Sequence, residues 1–309
     1  MKENVKENID SGLLLIDKPS GITSHDVVSR LRKALKTKEI GHSGTLDPLA
    51  SGLMVCLLNE GTKLSQFVLE KNKEYTLTLK FGLRSDTYDS MGVVEMVNAP
   101  LPSKEDALLA AQNLQGDLLL PVPLYSATKV DGKKLYEYAR SGVHVEVPQK
   151  IMKFWNLKFE DALEFPSMRF SIVCSKGSFI RAWVHRLGEI LGCGAILTDL
   201  RRTKSSIYSL DKAVPLDSIS SMGDFQIKEG SFIPLSQALS EIKAVYVLGR
   251  DFVFIKNGQI SHELRTRLIS IFNPLEDEYL RVINQKTGEL LALIALDPRK
   301  GFVVRRVFH

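Results

Sequence analysis

The sequence predicts a mixed α+β protein whose core is a mixed, largely antiparallel sheet, followed by a small C-terminal β-rich domain. Residues 73–81 and 168–174 alternate apolar and polar side chains, which is typical of strands with one buried face. Apolar residues recur at helical spacing after Ser24 and after Phe179. Beyond a break at 218–230 that is rich in Ser, Gly and polar residues, short apolar segments alternate with turn dipeptides, as in small β domains.

Strands and helices are mixed in the first half of the chain. The apolar run 12–16, ended by the turn 18–21, predicts a buried strand. Ser24 is expected to cap a helix with one apolar stripe, formed by Val27, Leu31, Ala34 and Leu35. The apolar run 52–58 is short enough to be a central strand, and the alternating strand 73–81 follows it.

Three helices are predicted between residues 103 and 191, before the C-terminal strands begin. Ser103 is expected to cap a helix that ends near Gly116, and residues 133–141 predict a short helix stopped by Gly142. The helix after Phe179 has apolar positions at Ile180, Val184, Leu187 and Leu191. Five C-terminal segments are expected to be strands: AVYVL, DFVFI, YLRVI, LLALIAL and GFVVRRVF.

Composition divides the chain into four parts. Residues 1–11 form a polar tail, 12–217 a large domain, 218–231 a linker and 232–309 the small β-rich domain. Hydrophobic side chains make up 44% of the 309 residues and charged ones 25%, which excludes a disordered or collagen-like chain. No apolar run reaches the ~20 residues of a membrane helix, and the N-terminal residues lack the apolar centre of a signal peptide. We therefore expect a cytoplasmic protein that does not enter a membrane.

The cysteines and histidines do not form metal-binding patterns. Cys56, Cys174 and Cys193 are widely spaced and contain no CxxC pair, and no HExxH sequence is present. We expect buried, inert thiols and no metal site. The chain also lacks a phosphate loop and a dinucleotide fingerprint, so no nucleotide cofactor is expected.

Positive charge is concentrated in two regions of a chain whose net charge is +5. Basic residues exceed acidic ones between 174 and 208, and a second basic group at 30–38 precedes the segment GHSGTLDP. Each group alone is typical of a solvated surface. Two basic groups beside one site would form an electrostatic surface for a phosphate backbone.

The segment 41–52, GHSGTLDPLASG, is the most unusual part of the sequence, with one carboxylate, Asp47, between a helix and a buried strand. An Asp before a Pro is usually a turn former, and the alternative is a rigid loop that presents a carboxylate at the edge of a sheet. Asp86 and Asp89 suggest a two-carboxylate site, as in glycosidases, but we favour an ordinary polar loop.

Five blocks together resemble one known family in order and spacing. They are KPSGITS (18–24), GHSGTLDPLASG (41–52), KEYTLTLKFG with RSDTYD (73–89), PLYSATKVDGKKLYEYARSG (123–142) and CSKGSFIRAWVHRLGEILGCGAILTDLRR (174–202). Over residues 12–215 the chain resembles the TruB family, the tRNA pseudouridine-55 synthases. The resemblance implies a pseudouridine synthase-like fold with a catalytic domain over 12–217. The C-terminal segment resembles, more loosely, a PUA-type RNA-binding module.

The resemblance also implies roles for individual residues. Asp47 matches the catalytic aspartate, and His42 matches the histidine that fills the gap left by a flipped base. Tyr75 matches the tyrosine that stacks on the target base, and Arg181 matches the arginine that pairs with the catalytic carboxylate. Leu200 matches a residue that lines the base pocket.

Phe179 is the position where the chain departs from the family sequence KGTYIR, since it has Lys176-Gly-Ser-Phe-Ile-Arg181. The ring needed to pack on the base is retained, but the hydroxyl is lost, together with any hydrogen bond it made. Weaker contacts with the RNA backbone are expected from four basic residues: Lys18, Lys176, Arg201 and Arg202.

The implied reaction converts a uridine in the T-arm of tRNA to pseudouridine. It breaks the bond between C1′ and N1, turns the uracil over and rejoins it through C5, so neither a cofactor nor a metal is needed. Asp47 could add covalently or remove a proton from the ribose, and the sequence leaves both open. Two other functions stay open: a non-catalytic tRNA-binding or folding factor, and a hydrolase that uses Asp47 with Asp86 or Asp89. A monomer is expected.

Overall fold

The computed structural model describes residues 10–69, 72–219 and 229–309. Its strands are β1 (Gly12–Lys18), β2 (Ile40–Ser43), β3 (Ser51–Leu58), β4 (Lys73–Phe81), β5 (Leu83–Ser85), β6 (Val94–Met96), β7 (Gly116–Pro121), β8 (Lys129–Val130), β9 (Lys133–Lys134), β10 (Gln149–Glu160), β11 (Ser167–Cys174), β12 (Ala195–Ser205), β13 (Tyr208–Ser209), β14 (Val214–Pro215), β15 (Phe232–Pro234), β16 (Ala244–Val247), β17 (Leu280–Asn284), β18 (Leu290–Asp297) and β19 (Gly301–Val307). Its α-helices are α1 (Ser24–Ala34), α2 (Ser65–Leu69), α3 (Lys104–Asn113), α4 (Leu135–Ser141), α5 (Ile180–Ile190), α6 (Gly249–Lys256) and α7 (His262–Ile271).

A large mixed sheet forms the core, with the strand order β14-β1-β3-β12-β4-β11-β10-β7. Neighbouring strands are antiparallel except for β1 with β14 and β3 with β12. The predicted mixed, largely antiparallel sheet is confirmed. The parallel pair matters for the site, because it places residues 51–52 at the start of β3 beside residues 201–202 near the end of β12.

Gly52 allows this close approach of β3 to β12. Its φ is +99°, and a Cβ at this position would lie 2.4 Å from the carbonyl oxygen of Arg202 and 2.8 Å from its amide nitrogen. Only a residue without a side chain fits between these backbone atoms.

Gly52→Ala is expected to lower the free energy of unfolding by about 1–3 kcal/mol, since the added methyl group must push two strands apart. Gly116→Ala is a matched control, because Gly116 has a φ of +95° and open space where its Cβ would be. Urea unfolding of both variants separates the two effects. Equal losses would mean that backbone conformation alone requires glycine at position 52.

Helix α5 packs on one face of the large sheet. Trp183, Val184 and Leu187 are fully buried there together with Leu77 and Leu79 of β4. The indole nitrogen of Trp183 donates a hydrogen bond to the carbonyl oxygen of Leu114, 2.8 Å away. These contacts fix the N-terminal end of α5, where Phe179 and Arg181 lie.

The C-terminal residues form a second sheet, β16-β17-β18-β19, with helices α6 and α7. The prediction that DFVFI is a strand is wrong, because these residues lie in α6, where Asp251 and Ile255 are buried one turn apart. A short apolar run fits a buried helix as well as a strand, and periodicity cannot separate them. Helix α7 was not predicted, although Ser261 caps it through the amide of Leu264.

The boundary between the two sheets differs from the sequence expectation in one detail. Strand β15, placed by the sequence in the C-terminal domain, pairs with β1 of the large sheet. Most of the expected linker 218–231 and most of the expected tail 1–11 lie outside the described residues. One hydrophobic cluster joins the sheets, with Leu13 and Phe67 on one side and Leu293 and Phe308 on the other.

Local sequence signals were confirmed at several element ends. Ser103 caps α3, and Gly142 ends α4 in the left-handed conformation. The cap of α1 is Thr23 and not Ser24, because Asp26 pairs with Thr23 in a capping box.

The three cysteines are buried and unpaired, as expected. In the part of the chain that the structure describes, each helix is too short or too polar to cross a membrane.

Candidate active site

Asp47 lies on the loop between β2 and β3, and the segment 20–24 holds this loop in place. The hydroxyl of Ser24 accepts a hydrogen bond from the amide of Leu46 and donates one to its carbonyl oxygen. The hydroxyl of Ser20 donates to the carbonyl oxygen of Leu49, and the amide of Gly21 donates to that of Pro48. Ser24 is therefore a loop anchor, and both sides of Asp47 are fixed.

Arg181 pairs with Asp47. Its Nε atom lies 2.9 Å from Oδ2 of Asp47, in an ion pair whose N–H is not aligned for a hydrogen bond. The side chain of Arg181 is 4% exposed and that of Asp47 is 34% exposed. Arg181 also donates to the carbonyl oxygens of Thr87 and Tyr125, at 2.9 and 3.1 Å. Three anchors thus hold one guanidinium beside the candidate catalytic carboxylate.

Asp89, which the sequence analysis considered and assigned to an ordinary polar loop, also lies beside Arg181. Its Oδ2 atom lies 3.6 Å from Nε of Arg181, and its side chain is 6% exposed. Oδ1 accepts hydrogen bonds from the hydroxyl of Thr87 and the amide of Met91. Asp89 therefore sits in the same charge network as Asp47, whereas we had favoured an ordinary polar loop. Its place in the block RSDTYD was the available signal.

The loop that carries Asp89 is fixed against both β12 and α5. The amide of Leu197 donates to the carbonyl oxygen of Tyr88, and the amide of Ser90 donates to that of Leu197. The ring of Tyr88 stacks on that of His185, with centroids 3.8 Å apart and planes 8° apart. Since His185 lies one turn after Arg181, the stack fixes the loop beside the guanidinium.

An apolar wall completes the site. Tyr75 of β4, Leu200 of β12 and Leu46 and Leu49 of the loop belong to one buried cluster, and Phe179 packs against it. Burial raises the pKa of Tyr75 to about 12, so its hydroxyl is protonated at neutral pH. The residues predicted to line the base pocket thus share one apolar cluster with the two leucines that lie on either side of Asp47.

His42 lies on β2, half-buried, two residues before the glycine that starts the loop. Burial lowers its pKa from the ordinary value of 6.5, and the nearby charge of Arg202 adds to the effect. The imidazole is therefore neutral at neutral pH, which suits a group that packs among bases rather than one that pairs with phosphate.

Two of the four basic residues expected to contact the RNA backbone are buried, which contradicts that expectation. Lys18 is 0% exposed and donates to the carbonyl oxygens of Pro19 and Ile22. Arg202 is 1% exposed and donates to those of Leu53 and Gly44. Both positions belong to the large sheet, and both side chains are directed into the protein.

Arg201 and Lys176 lie at the surface, so contact with RNA stays a prediction for them. The side chain of Arg201 is 40% exposed and pairs with Asp17 at 2.6 Å. Among the residues that the structure describes, no group of His, Cys, Asp or Glu side chains could hold a metal ion.

Comparisons with known proteins show the family of the chain. Residues 32–180 match the N-terminal domain of the TruB family pseudouridylate synthases, and residues 181–240 match the C-terminal domain of tRNA pseudouridylate synthase B. The tRNA pseudouridine synthase B of Bdellovibrio bacteriovorus is 52% identical, in an alignment that covers 98% of each chain. The chain belongs to the TruB family.

The tRNA pseudouridine synthase B of Caldicellulosiruptor saccharolyticus is 41% identical, over 74% of this chain and 76% of the relative. That of Haemophilus influenzae is 34% identical, over 89% of this chain and 90% of the relative. The fold is also similar to that in the crystal structure of the archaeal box H/ACA sRNP Nop10-Cbf5 complex. The TM-score is 0.67 at 18% identity, over 100% of this chain and 89% of that one. The predicted pseudouridine synthase-like fold is confirmed.

Proposed function

We propose that this TruB family member converts uridine 55, in the T-arm of tRNA, to pseudouridine, with Asp47 as the catalytic residue. The observation that supports this most directly is the ion pair between Asp47 and the buried Arg181, beside the wall formed by Tyr75 and Leu200. Membership of a family does not by itself show that a protein retains the residues needed for catalysis. Here the carboxylate, its partner and the apolar pocket are present together.

The geometry suits an isomerisation that starts at one carboxylate. The Asp47 carboxylate begins the reaction, either by adding to the target nucleoside or by removing a proton from its ribose. The bond between C1′ and N1 then breaks, the uracil turns, and C5 bonds to C1′. A proton then leaves C5 and N1 takes one up, while Asp47 is released from the nucleoside or the ribose regains its proton, so the product is an isomer of uridine. Leu200 and the rings of Tyr75 and Phe179 would exclude water, which retains the detached base.

Asp89 is poorly suited to act as the second acid of a hydrolase. Its two oxygens are occupied by Arg181, Thr87 and Met91, and the residue is 4% exposed. A glycosidase-like reaction needs a second carboxyl group with access to a water molecule. This disfavours hydrolysis with Asp89 as the partner acid.

The target uridine must leave its stack to reach Asp47, at a cost of a few kcal/mol that new contacts offset. His42 would fill the gap that the uracil leaves in the RNA, and Tyr75 would stack on the flipped uracil. Arg201 and Lys176 would contact phosphates. The RNA would then cover Asp47, whose side chain is 34% exposed in the free protein. The PUA-like character of 232–309, a monomeric state and a cytoplasmic location belong to the same proposal.

The proposal is tested with tRNA tritiated at C5 of uridine, because rejoining through C5 releases that tritium to water. We expect release of one equivalent per tRNA, and chemical mapping should place pseudouridine at position 55 in the T-arm. Binding without release would favour the non-catalytic tRNA-binding or folding factor. Free uracil with an abasic site in the RNA would instead indicate a hydrolase.

A further inference from the structure

Arg202 links the loop of Asp47 to the ring of Tyr75. It lies on β12 directly beside Tyr75 of β4 in the register of the two strands. Its Nε atom donates to the carbonyl oxygen of Leu53 at 2.7 Å, and Nη2 donates to that of Gly44 at 3.2 Å. The charge of the guanidinium also acts on Tyr75, where it lowers the pKa of the hydroxyl against the larger opposing effect of burial. One buried side chain thus bonds to both ends of the loop that carries Asp47 and lies beside Tyr75.

Tyr75 itself is held between two strands. It lies on β4, opposite Arg202 of β12 on one side and Ile172 of β11 on the other, and it is 8% exposed. A change at Arg202 is therefore a change in the packing beside this ring.

We propose that Arg202 is a positioning residue for the isomerisation, which fixes the Asp47 loop relative to the base-stacking ring of Tyr75. This inference deepens the proposed function and rests on it. Arg202 itself is too deeply buried to reach the RNA. It acts through Gly44, three residues before Asp47, and through Tyr75.

The surroundings of Arg202 show that its burial is costly. Lys18 and Lys73 lie close enough that its charge adds to the effect of burial, and the pKa of each lysine is lowered to about 8. An apolar side chain would remove this repulsion. An arginine presents several N–H donors in one plane, and neither an apolar residue nor a lysine can reproduce that arrangement.

The test compares Arg202 with another arginine that bonds to backbone carbonyl oxygens. Arg281 donates to those of Ile242 and Ser236, at 2.9 and 3.2 Å, outside the active site. We expect Arg202→Met to lower the single-turnover rate of pseudouridine formation about 10²-fold, as for a misplacement near 1 Å. The tRNA dissociation constant should stay unchanged, and Arg281→Met should leave the rate unchanged.

A double-mutant cycle separates positioning from general stability. If Arg202 acts by positioning the ring of Tyr75, Arg202→Met should reduce the rate by a smaller factor in a Tyr75→Leu background, which lacks the ring, than in the wild type. Hydrogen exchange should also become faster in the segment 44–50 with Arg202→Met, and not with Arg281→Met. The proposal would be overturned by an unchanged rate in Arg202→Met or by equal losses of rate in the Arg202→Met and Arg281→Met variants. It would also be overturned if Arg202→Met reduced the rate by the same factor with and without the substitution at Tyr75.

Two outcomes are handled separately. Should Arg202→Met not fold, Arg202→Lys and Arg281→Lys decide the question by the same criteria, because lysine retains the charge and loses the planar arrangement of donors. Should the wild-type protein form no pseudouridine, the proposed function is refuted, and exchange in the segment 44–50 alone decides whether Arg202 positions the loop.

Discussion

Asp47→Asn is expected to abolish tritium release, with a loss on the order of 10⁴-fold or more, the scale seen when a residue that makes or breaks bonds is removed. The amide has nearly the shape of the carboxylate but cannot add to the nucleoside or take up a ribose proton. Since Ser20, Gly21 and Ser24 hold the loop through other atoms, the fold should be unaffected. Binding of tRNA should also persist.

Asp86→Asn is the matched control for this prediction. Asp86 is an exposed carboxylate that accepts a hydrogen bond from the amide of Val93 at 2.8 Å, so its amide variant should stay active. Single-turnover release and filter binding measure the two effects independently. Undiminished release by Asp47→Asn would remove this residue from the chemistry, and a comparable loss in Asp86→Asn would revive the two-carboxylate hypothesis.

Elements set by local sequence were predictable, and contacts set by long-range pairing were not. The alternation in 73–81 and 168–174 correctly placed β4 and β11, and Gly142 correctly ended α4. Arg202, in contrast, stands in a basic run that resembles a surface. Its burial follows from the parallel pairing of β12 with β3, about 150 residues away in the chain, which periodicity cannot reveal.

The same limit explains which site residues were found. Asp47, Tyr75 and Arg181 were assigned through the resemblance of their blocks to the TruB family, and the structure brings them together. Asp89 was assigned to a polar loop, and it does lie in a loop. What the sequence could not show is that this loop folds back onto α5, where Thr87 and Asp89 both contact Arg181.

Arg181→Met is expected to lower both activity and stability. The guanidinium is 4% exposed, faces Asp47 and Asp89, and donates to two carbonyl oxygens. Removing it leaves two carboxylates close together without a compensating charge and two buried carbonyl oxygens without these donors. Loss of one partner from a buried ion pair costs about 3–5 kcal/mol, and loss of a fixed charge beside the reacting group costs about 10²–10³-fold in rate.

Arg186→Met provides the comparison on the same helix. Arg186 pairs with Glu189 at 3.2 Å, and both side chains are 49% exposed, so its replacement should change the free energy of unfolding by less than about 1 kcal/mol. Urea unfolding and single-turnover release should therefore separate the two arginines of α5 clearly. If Arg181→Met matched Arg186→Met in both measurements, the charge network would not hold the catalytic carboxylate.

An additional Asp89→Asn substitution should partly restore the free energy of unfolding of Arg181→Met, because it removes one of the two uncompensated charges.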